Sequence, residues 1–270
     1  MVFADRSSKM SAMTGRGAAL VFGGGGMFGA YQAGLWAGLQ PSFKPAHVFG
    51  ASIGAFNGLA VASSCRASEL TAIWLDFREA AEAHWRFPWP LWSGCLDTNV
   101  FNGYLRRHFD RFRPVLPASV VVTRLWPLEP FVVSGADLTW RHLAASCSVP
   151  VIMPPCRLPE GLSADGGLLN AVPVWAALRA GYDKVVAVNI LPRSSGLMLG
   201  GIRAALRAVS RFRPEFAASR PDPRVVWVEP SRPLGPLRKS ARWDPALARD
   251  WVQLGRHDAA GVLRRIKQWG

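Results

Sequence analysis

The sequence predicts an α/β fold: a mostly parallel central sheet with helices on both faces, a three-layer sandwich. Three observations lead there. Short apolar runs of strand length alternate with longer segments of helical spacing. One run, "DKVVAVNI", is apolar throughout, as a strand covered on both faces must be. No long polar linker divides the 270 residues, half of them hydrophobic, so one sizeable core is expected. The predicted division is a disordered leader at 1–16 and a single domain over 17–270. Its last part, 191–270, is a basic extension of that domain.

The elements follow in order. "AALVF" is a strand that runs into four glycines. "MFGAYQAGLWAGLQ" has Tyr31, Leu35 and Leu39 at helical spacing, and Pro41 stops it. "AHVFG" is a short buried strand, and "SIGAFNGLAVASS" is a helix small and apolar enough to be buried. "ASELTAIWLDFREAAEAHW" reads as one amphipathic helix with Leu70, Ile73, Trp74 and Phe77 on one side. Pro88 and Pro90 prevent its continuation through 85–96, whose tryptophans could form a lip at a membrane interface or pack as core. "NVFNGYLRRHF" is helical, "SVVVTRL" and "PFVVSGAD" are strands, and "LTWRHLAASCSV" is a helix ended by Pro150. "GLSADGGLLN" is a strand or loop. "VPVWAALRAGY" is a helix with Gly181 near its end. After "DKVVAVNI", "RVVWVEP" is the last strand, followed by one or two helices. There is no internal repeat.

Composition excludes some classes. No run of about 18 apolar residues exists, so no transmembrane helix is expected. The N-terminal segment lacks the apolar core of a signal peptide. Cys65, Cys95, Cys147 and Cys156 show no zinc-ligand spacing and read as free thiols, in a cytoplasmic setting with peripheral membrane contact. The net charge is +14, and 191–270 alone carries sixteen basic and six acidic residues. That charge is either a solvated surface or an attraction to anionic lipid. Nucleic acid is not expected as a partner, because no binding motif accompanies the charge.

Two glycine patterns carry chemistry. Gly24, Gly26 and Gly29 satisfy G-x-G-x-x-G, but no Asp or Glu lies between Asp5 and Glu69 to hold a ribose. No Gly-Lys-Ser/Thr follows, so a P-loop is excluded as well. An oxyanion hole remains, with backbone N–H groups turned outward at a helix start, beside a simple tight turn. Gly50-Ala51-Ser52-Ile53-Gly54 fits G-x-S-x-G between a strand and a helix, the setting of a nucleophile elbow. The alternative for Ser52 is a helix N-cap. A nucleophilic serine needs a base. His84, His108, His142 and His257 lie on helices or their ends and suit a triad poorly. Asp165 in "SADGGLLN" is the better candidate, since a carboxylate in hydrogen-bond reach can take the proton directly. An Asp-Gly turn is its structural alternative.

Taken together, "GGGMFG" (24–29), "GASIG" (50–54) and "DGG" (165–167) resemble the patatin-like phospholipase family. "ASCSVPVIMPP" before the acid and "DGGLLNAVPVWAALRAGYDKVVAVN" after it are similar too, so the resemblance covers about 17–190. It implies a fold related to cytosolic phospholipase A2, with Ser52 as nucleophile and Asp165 as its base. The oxyanion loop would span Gly24, Gly25, Gly26 and Gly29, with the N–H groups of Gly25 and Gly26 as donors. The implied activity is hydrolysis of lipid esters by a phospholipase A or lysophospholipase, without cofactor or metal. Acyl transfer through the same acyl-enzyme, or a non-catalytic lipid-binding module, are the alternatives. Phe28 departs from the family, many members of which carry Arg or Lys there.

Overall fold

A computed structural model of the chain describes residues 17–81, 84–85, 94–191, 206, 208, 210 and 222–269. The expected leader at 1–16, residues 86–93 of the Trp/Pro stretch and most of 192–221 lie outside these residues. The strands are β1 (Ala19–Phe22), β2 (His47–Ala51), β3 (His84–Trp85), β4 (Leu96–Asp97), β5 (Ala118–Leu125), β6 (Leu128–Ser134), β7 (Cys156–Leu158), β8 (Gly161–Ala164), β9 (Val185–Val188) and β10 (Val225–Val228). The helices are α1 (Gly29–Leu39), α2 (Ile53–Ala62), α3 (Ala67–Leu75), α4 (Arg78–Ala81), α5 (Asn99–Arg111), α6 (Trp140–Ser146), α7 (Val174–Arg179) and α8 (Pro245–Ile266).

The fold class is as the sequence predicts. β10, β9, β1, β2 and β5 form a parallel run in that order. Beyond it the sheet turns antiparallel, with β6 and β8 on β5 and β7 on β8. Strand alternation sends Leu20 and Phe22 of β1, and Val186 and Val188 of β9, into one core beneath α1, α2, α3 and α8. Ala19, Val21, Val185 and Ala187 point the other way, into a smaller core covered by α7.

Two local expectations change. Residues 67–85 are not one helix: α3 stops at Leu75, and Asp76 leaves helical geometry at φ −131°, ψ 57°. The break turns Phe77 inward, where it is fully buried and its ring stacks on Trp74 at 4.7 Å. Burying such a ring contributes about 2–3 kcal/mol, more than the ~1 kcal/mol of a lost helical hydrogen bond. β7 was not expected, because the prolines of "MPPCRLPEG" mask a strand of three residues.

The last helix of the basic C-terminal region is built into the core. α8 is one helix of 22 residues, with Pro245 in its first turn and the Asp244 carboxylate accepting from the N–H groups of Ala246 and Leu247. It packs on α1 almost backbone to backbone. A Cβ on Gly34 would lie 2.0 Å from the Val252 carbonyl oxygen, and one on Gly255 would lie 2.2 Å from that of Tyr31. The Tyr31 hydroxyl donates to Asp258 at 2.9 Å across the same seam. Gly255 and Gly261 sit on one helix with different surroundings, which gives a test. Gly255→Ala should destabilise by about 2–3 kcal/mol through forced separation of the helices. Gly261→Ala, which meets only the Arg264 guanidinium at 3.8 Å, should stabilise by about 0.5–1 kcal/mol through helix propensity. Denaturant unfolding of the two variants checks both signs.

Candidate active site

One edge of β5 is shared by two strands that meet end to end. β2 runs parallel to it, with Ala51 opposite Val121. β8 runs antiparallel, with Ala164 opposite Thr123. The residue following each strand therefore comes level with Val122: Ser52 from one direction, Asp165 from the other. The register alone brings these two sequence-distant side chains to one place.

Ser52 sits between β2 and α2 at φ 55°, ψ −132°, backbone that a non-glycine residue rarely adopts. Such strain costs about 1–3 kcal/mol and persists only where the surroundings enforce it. The enforcing contacts are visible. A Cβ on Gly50 would lie 2.4 Å from Ala55 Cα, and one on Gly54 would lie 2.3 Å from the Phe22 carbonyl oxygen. The Ser52 N–H donates to Ser146 Oγ at 2.8 Å, and that hydroxyl donates to the Val121 carbonyl at 2.7 Å. The Ser52 side chain makes no capping hydrogen bond to α2, so the N-cap alternative does not account for it. Its position at the N-terminus of α2 favours negative charge on Oγ.

Asp165 is 7% exposed and Ser52 8%, a buried pair with restricted access to water. The Asp165 N–H donates to Ser148 O at 2.9 Å. Its carbonyl accepts from Thr123 Oγ1 at 2.8 Å, and its Oδ1 accepts from the Gly167 N–H at 2.7 Å. Gly166 has no room for a side chain: a Cβ there would lie 1.9 Å from the Val121 carbonyl oxygen. The "DGG" spacing thus combines the Asp-Gly turn with a close approach to β5. Burial, and secondarily the Asp165 carboxylate, push the thiol of neighbouring Cys147 well above its ordinary range.

The four glycines assigned to an oxyanion loop take different parts. Gly24 abuts the serine, since a Cβ there would lie 3.0 Å from Ser52 Cβ, but its N–H is committed to the Ala171 carbonyl at 2.8 Å. Gly29 turns its N–H back to the carbonyls of Gly26 and Met27 and gives space to Trp74 and Ile53. The N–H groups of Gly25 and Gly26 have no acceptor among the described residues. Gly26 is left-handed at φ 56° and packs under the Ser240 carbonyl of a 3-10 turn, Leu237–Ala241.

Sequence reasoning missed what holds this loop. Gln32 and Asn57 are fully buried on α1 and α2. Gln32 Nε2 donates to Gly23 O at 2.8 Å, and Asn57 Nδ2 donates to Gly29 O at 3.0 Å and Gln32 Oε1 at 2.9 Å. Trp74 Nε1 completes the network on Asn57 Oδ1 at 2.8 Å. The available signal was a lone amide in each of two otherwise apolar helices. Phe28 is an anchor: fully buried, its ring meets Trp251 of α8 edge-on at 5.1 Å.

The histidines His108, His142 and His257 are occupied elsewhere. His142 completes a capping box with Thr139 on α6, and His257 lies exposed beside Asp258. His108 stacks on Phe56 at 3.5 Å and shares a hydrogen bond of 2.9 Å with the Phe56 carbonyl. Burial pushes its pKa down to about 3. The side chain of His84 is outside the described residues.

Two outcomes follow from this geometry. Ser52→Gly should raise stability by about 1 kcal/mol by relieving the strained φ, read as a higher Tm than that of Ser52→Ala. For His108, a folded pKa below the ordinary ~6.5 means the unfolded chain binds a proton first on acidification. Its contribution is complete above pH ~6.5 and is lost as pH falls toward 3. His108→Gln should remove about one proton's worth of that pH slope in unfolding free energy measured across the interval.

A serine on a strained strand–helix turn, an aspartate brought level with it by strand register and a glycine loop, on a mostly parallel sheet, place the chain among α/β proteins with a strand–Ser–helix turn. Within that class the chain belongs to the patatin-like phospholipase family, whose family model, "Patatin-like phospholipase", matches residues 20–178. It is 30% identical over 201 residues to patatin-like phospholipase domain-containing protein 7 of Rattus norvegicus, covering 69% of this chain and 15% of that protein. It is 26% identical over 213 residues to lysophospholipase nte1 of Aspergillus terreus, covering 74% of this chain and 14% of that protein. The chain thus spans about one-seventh of the length of these curated relatives. VipD from Legionella pneumophila shares the fold, with a TM-score of 0.51 at 14% identity over 94% of this chain and 68% of that chain.

Proposed function

We propose that this chain is a serine acyl-ester hydrolase of lipids, acting as a phospholipase A or lysophospholipase through a Ser52–Asp165 dyad. The observation that carries this reading is the shared β5 edge, with Ser52 and Asp165 both level with Val122. Ser52 Oγ attacks the ester carbonyl carbon while its proton passes to the Asp165 carboxylate. The carbonyl oxygen becomes an oxyanion that accepts from the N–H groups of Gly25 and Gly26. Collapse breaks the bond to the alcohol oxygen, which leaves with the proton from Asp165. Water, deprotonated by Asp165, then releases the fatty acid and restores Ser52.

A lipid substrate is supported by the surface beside Asp165. The Asp165 N–H is bonded to Ser148 O, and the next residues, Val149, Val151 and Ile152, are 38%, 78% and 37% exposed. Val151 holds φ 74°, an outlier for a β-branched residue, so strained backbone presents this apolar side chain to the outside. An acyl chain gains from such a surface where a small polar ester does not. The family and its lysophospholipase-named relatives point the same way.

Ser52→Ala should lower kcat on a lysophospholipid by at least ~10³-fold, and Asp165→Asn should do comparable damage. Wild type, but not Ser52→Ala, should react with a fluorophosphonate probe. Released fatty acid is quantified by mass spectrometry. Undiminished hydrolysis by Ser52→Ala would reject the nucleophile, and near-normal rates for Asp165→Asn would move the base elsewhere.

A further inference from the structure

At the opposite end of the parallel strands lies a cavity of about 560 Å³, formed by the lead-in to β1, the loop after α1 and the end of α8. Ser52 and the glycine loop follow the C-terminal ends of β2 and β1, whereas Gly17, Ala18 and Lys184 of this cavity precede β1 and β9. Four strand residues, roughly 13 Å, separate the two ends. The cavity is therefore distinct from the candidate active site.

Its lining combines two chemistries. Lys44, Lys184, Arg264 and Lys267 bring four cations from three separate parts of the chain, and among the described residues no acidic residue lines the cavity. Phe43, Leu263, Ile266 and Trp269 supply the apolar surface. Arg264 and Lys267 also complement the negative end of the α8 dipole. That role does not account for Lys44 or Lys184, which come from other elements. Lys184 is half-buried and donates to the Trp269 carbonyl, an uncharged acceptor. Like charges gathered around one hollow repel one another unless an anion joins them.

We propose that this cavity binds an anionic single-chain amphiphile, a fatty-acid or lysophosphatidate anion, with its headgroup among the four cations and its chain on the apolar wall. The volume is in the range of sites for small organic ligands. Among the described residues Ser42 supplies the only side-chain oxygen in the lining. The edge of a nucleotide base would therefore find few partners, whereas a carboxylate or phosphate on a hydrocarbon chain needs only cations and apolar contact. The site does not depend on Ser52 being a nucleophile.

The test uses the full chain and oleate below its micelle concentration, with calorimetry for affinity and a diazirine-bearing fatty acid for mapping. Photolabel should fall on peptides spanning 39–47 or 260–269, in wild type and in Ser52→Ala alike. Lys44 and Arg264 are exposed, so K44E/R264E should fold normally and hydrolyse a water-soluble ester at the wild-type rate. Its oleate affinity should fall about 10-fold or more, with K44Q/R264Q intermediate. A neutral monoacylglycerol should bind far more weakly than oleate, and lysophosphatidate about as well. Unchanged oleate affinity in K44E/R264E, or label confined to peptides holding Ser52 or Asp165, would overturn the proposal. Equal binding of monoacylglycerol, competition by inorganic phosphate alone as effective as by oleate, or binding to anionic vesicles without binding of monomeric oleate would do so too.

Discussion

The edge of β5 that faces both β2 and β8 is the constraint on which the candidate site depends. Two strands can share one edge only by meeting head-on, and the gap between them sits at Val122. Whatever follows β2 and β8 must turn out of the sheet there. The chain turns through Ser52 on one side and through Asp165-Gly166 on the other. Ser146 braces both turns: its hydroxyl links the Ser52 N–H to Val121, and its carbonyl accepts from the Gly166 N–H at 3.1 Å. With its hydroxyl and carbonyl both engaged and its side chain fully buried, Ser146 has little freedom to let either turn drift.

The glycine loop is controlled differently. Four consecutive glycines are conformationally permissive, so their shape must come from what surrounds them. Its carbonyls at Gly23 and Gly29 are pinned by Gln32 and Asn57, and Phe28 is fixed against Trp251. The result is a loop whose N–H groups at Gly25 and Gly26 have no acceptor among the described residues, while the flanking ones are consumed. A fully satisfied polar network in an apolar core rigidifies what it touches.

Most of the architecture was legible because it rests on local pattern. Continuous apolar runs marked the parallel strands, and G-x-S-x-G between a strand and a helix marked Ser52. Elements whose form depends on distant partners were harder to read. The break at Asp76 exists because Phe77 stacks on Trp74 and meets Phe56 edge-on, which no window of sequence reveals. Ser146, Gln32 and Asn57 have ordinary identities in helical segments, and their importance comes from residues tens of positions away. The resemblance pointed to the N–H groups of Gly25 and Gly26, but no window of sequence shows that the Gly24 N–H is spent on Ala171 or that Gly26 and Gly29 pack against Ser240 and Trp74.

The turn at Leu237–Ala241 bears on what counts as the working unit. Trp251 holds Leu234 through its indole N–H at 3.0 Å, Trp243 holds the Trp74 carbonyl at 3.0 Å, and between these anchors Ser240 rests on Gly26. The family-model match ends at residue 178, yet the floor of the glycine loop is laid some sixty residues later. A fragment cut at the end of that match would keep every signature residue and lose the piece that gives them shape. The span of the family model and the span of the mechanical unit have different borders in this molecule.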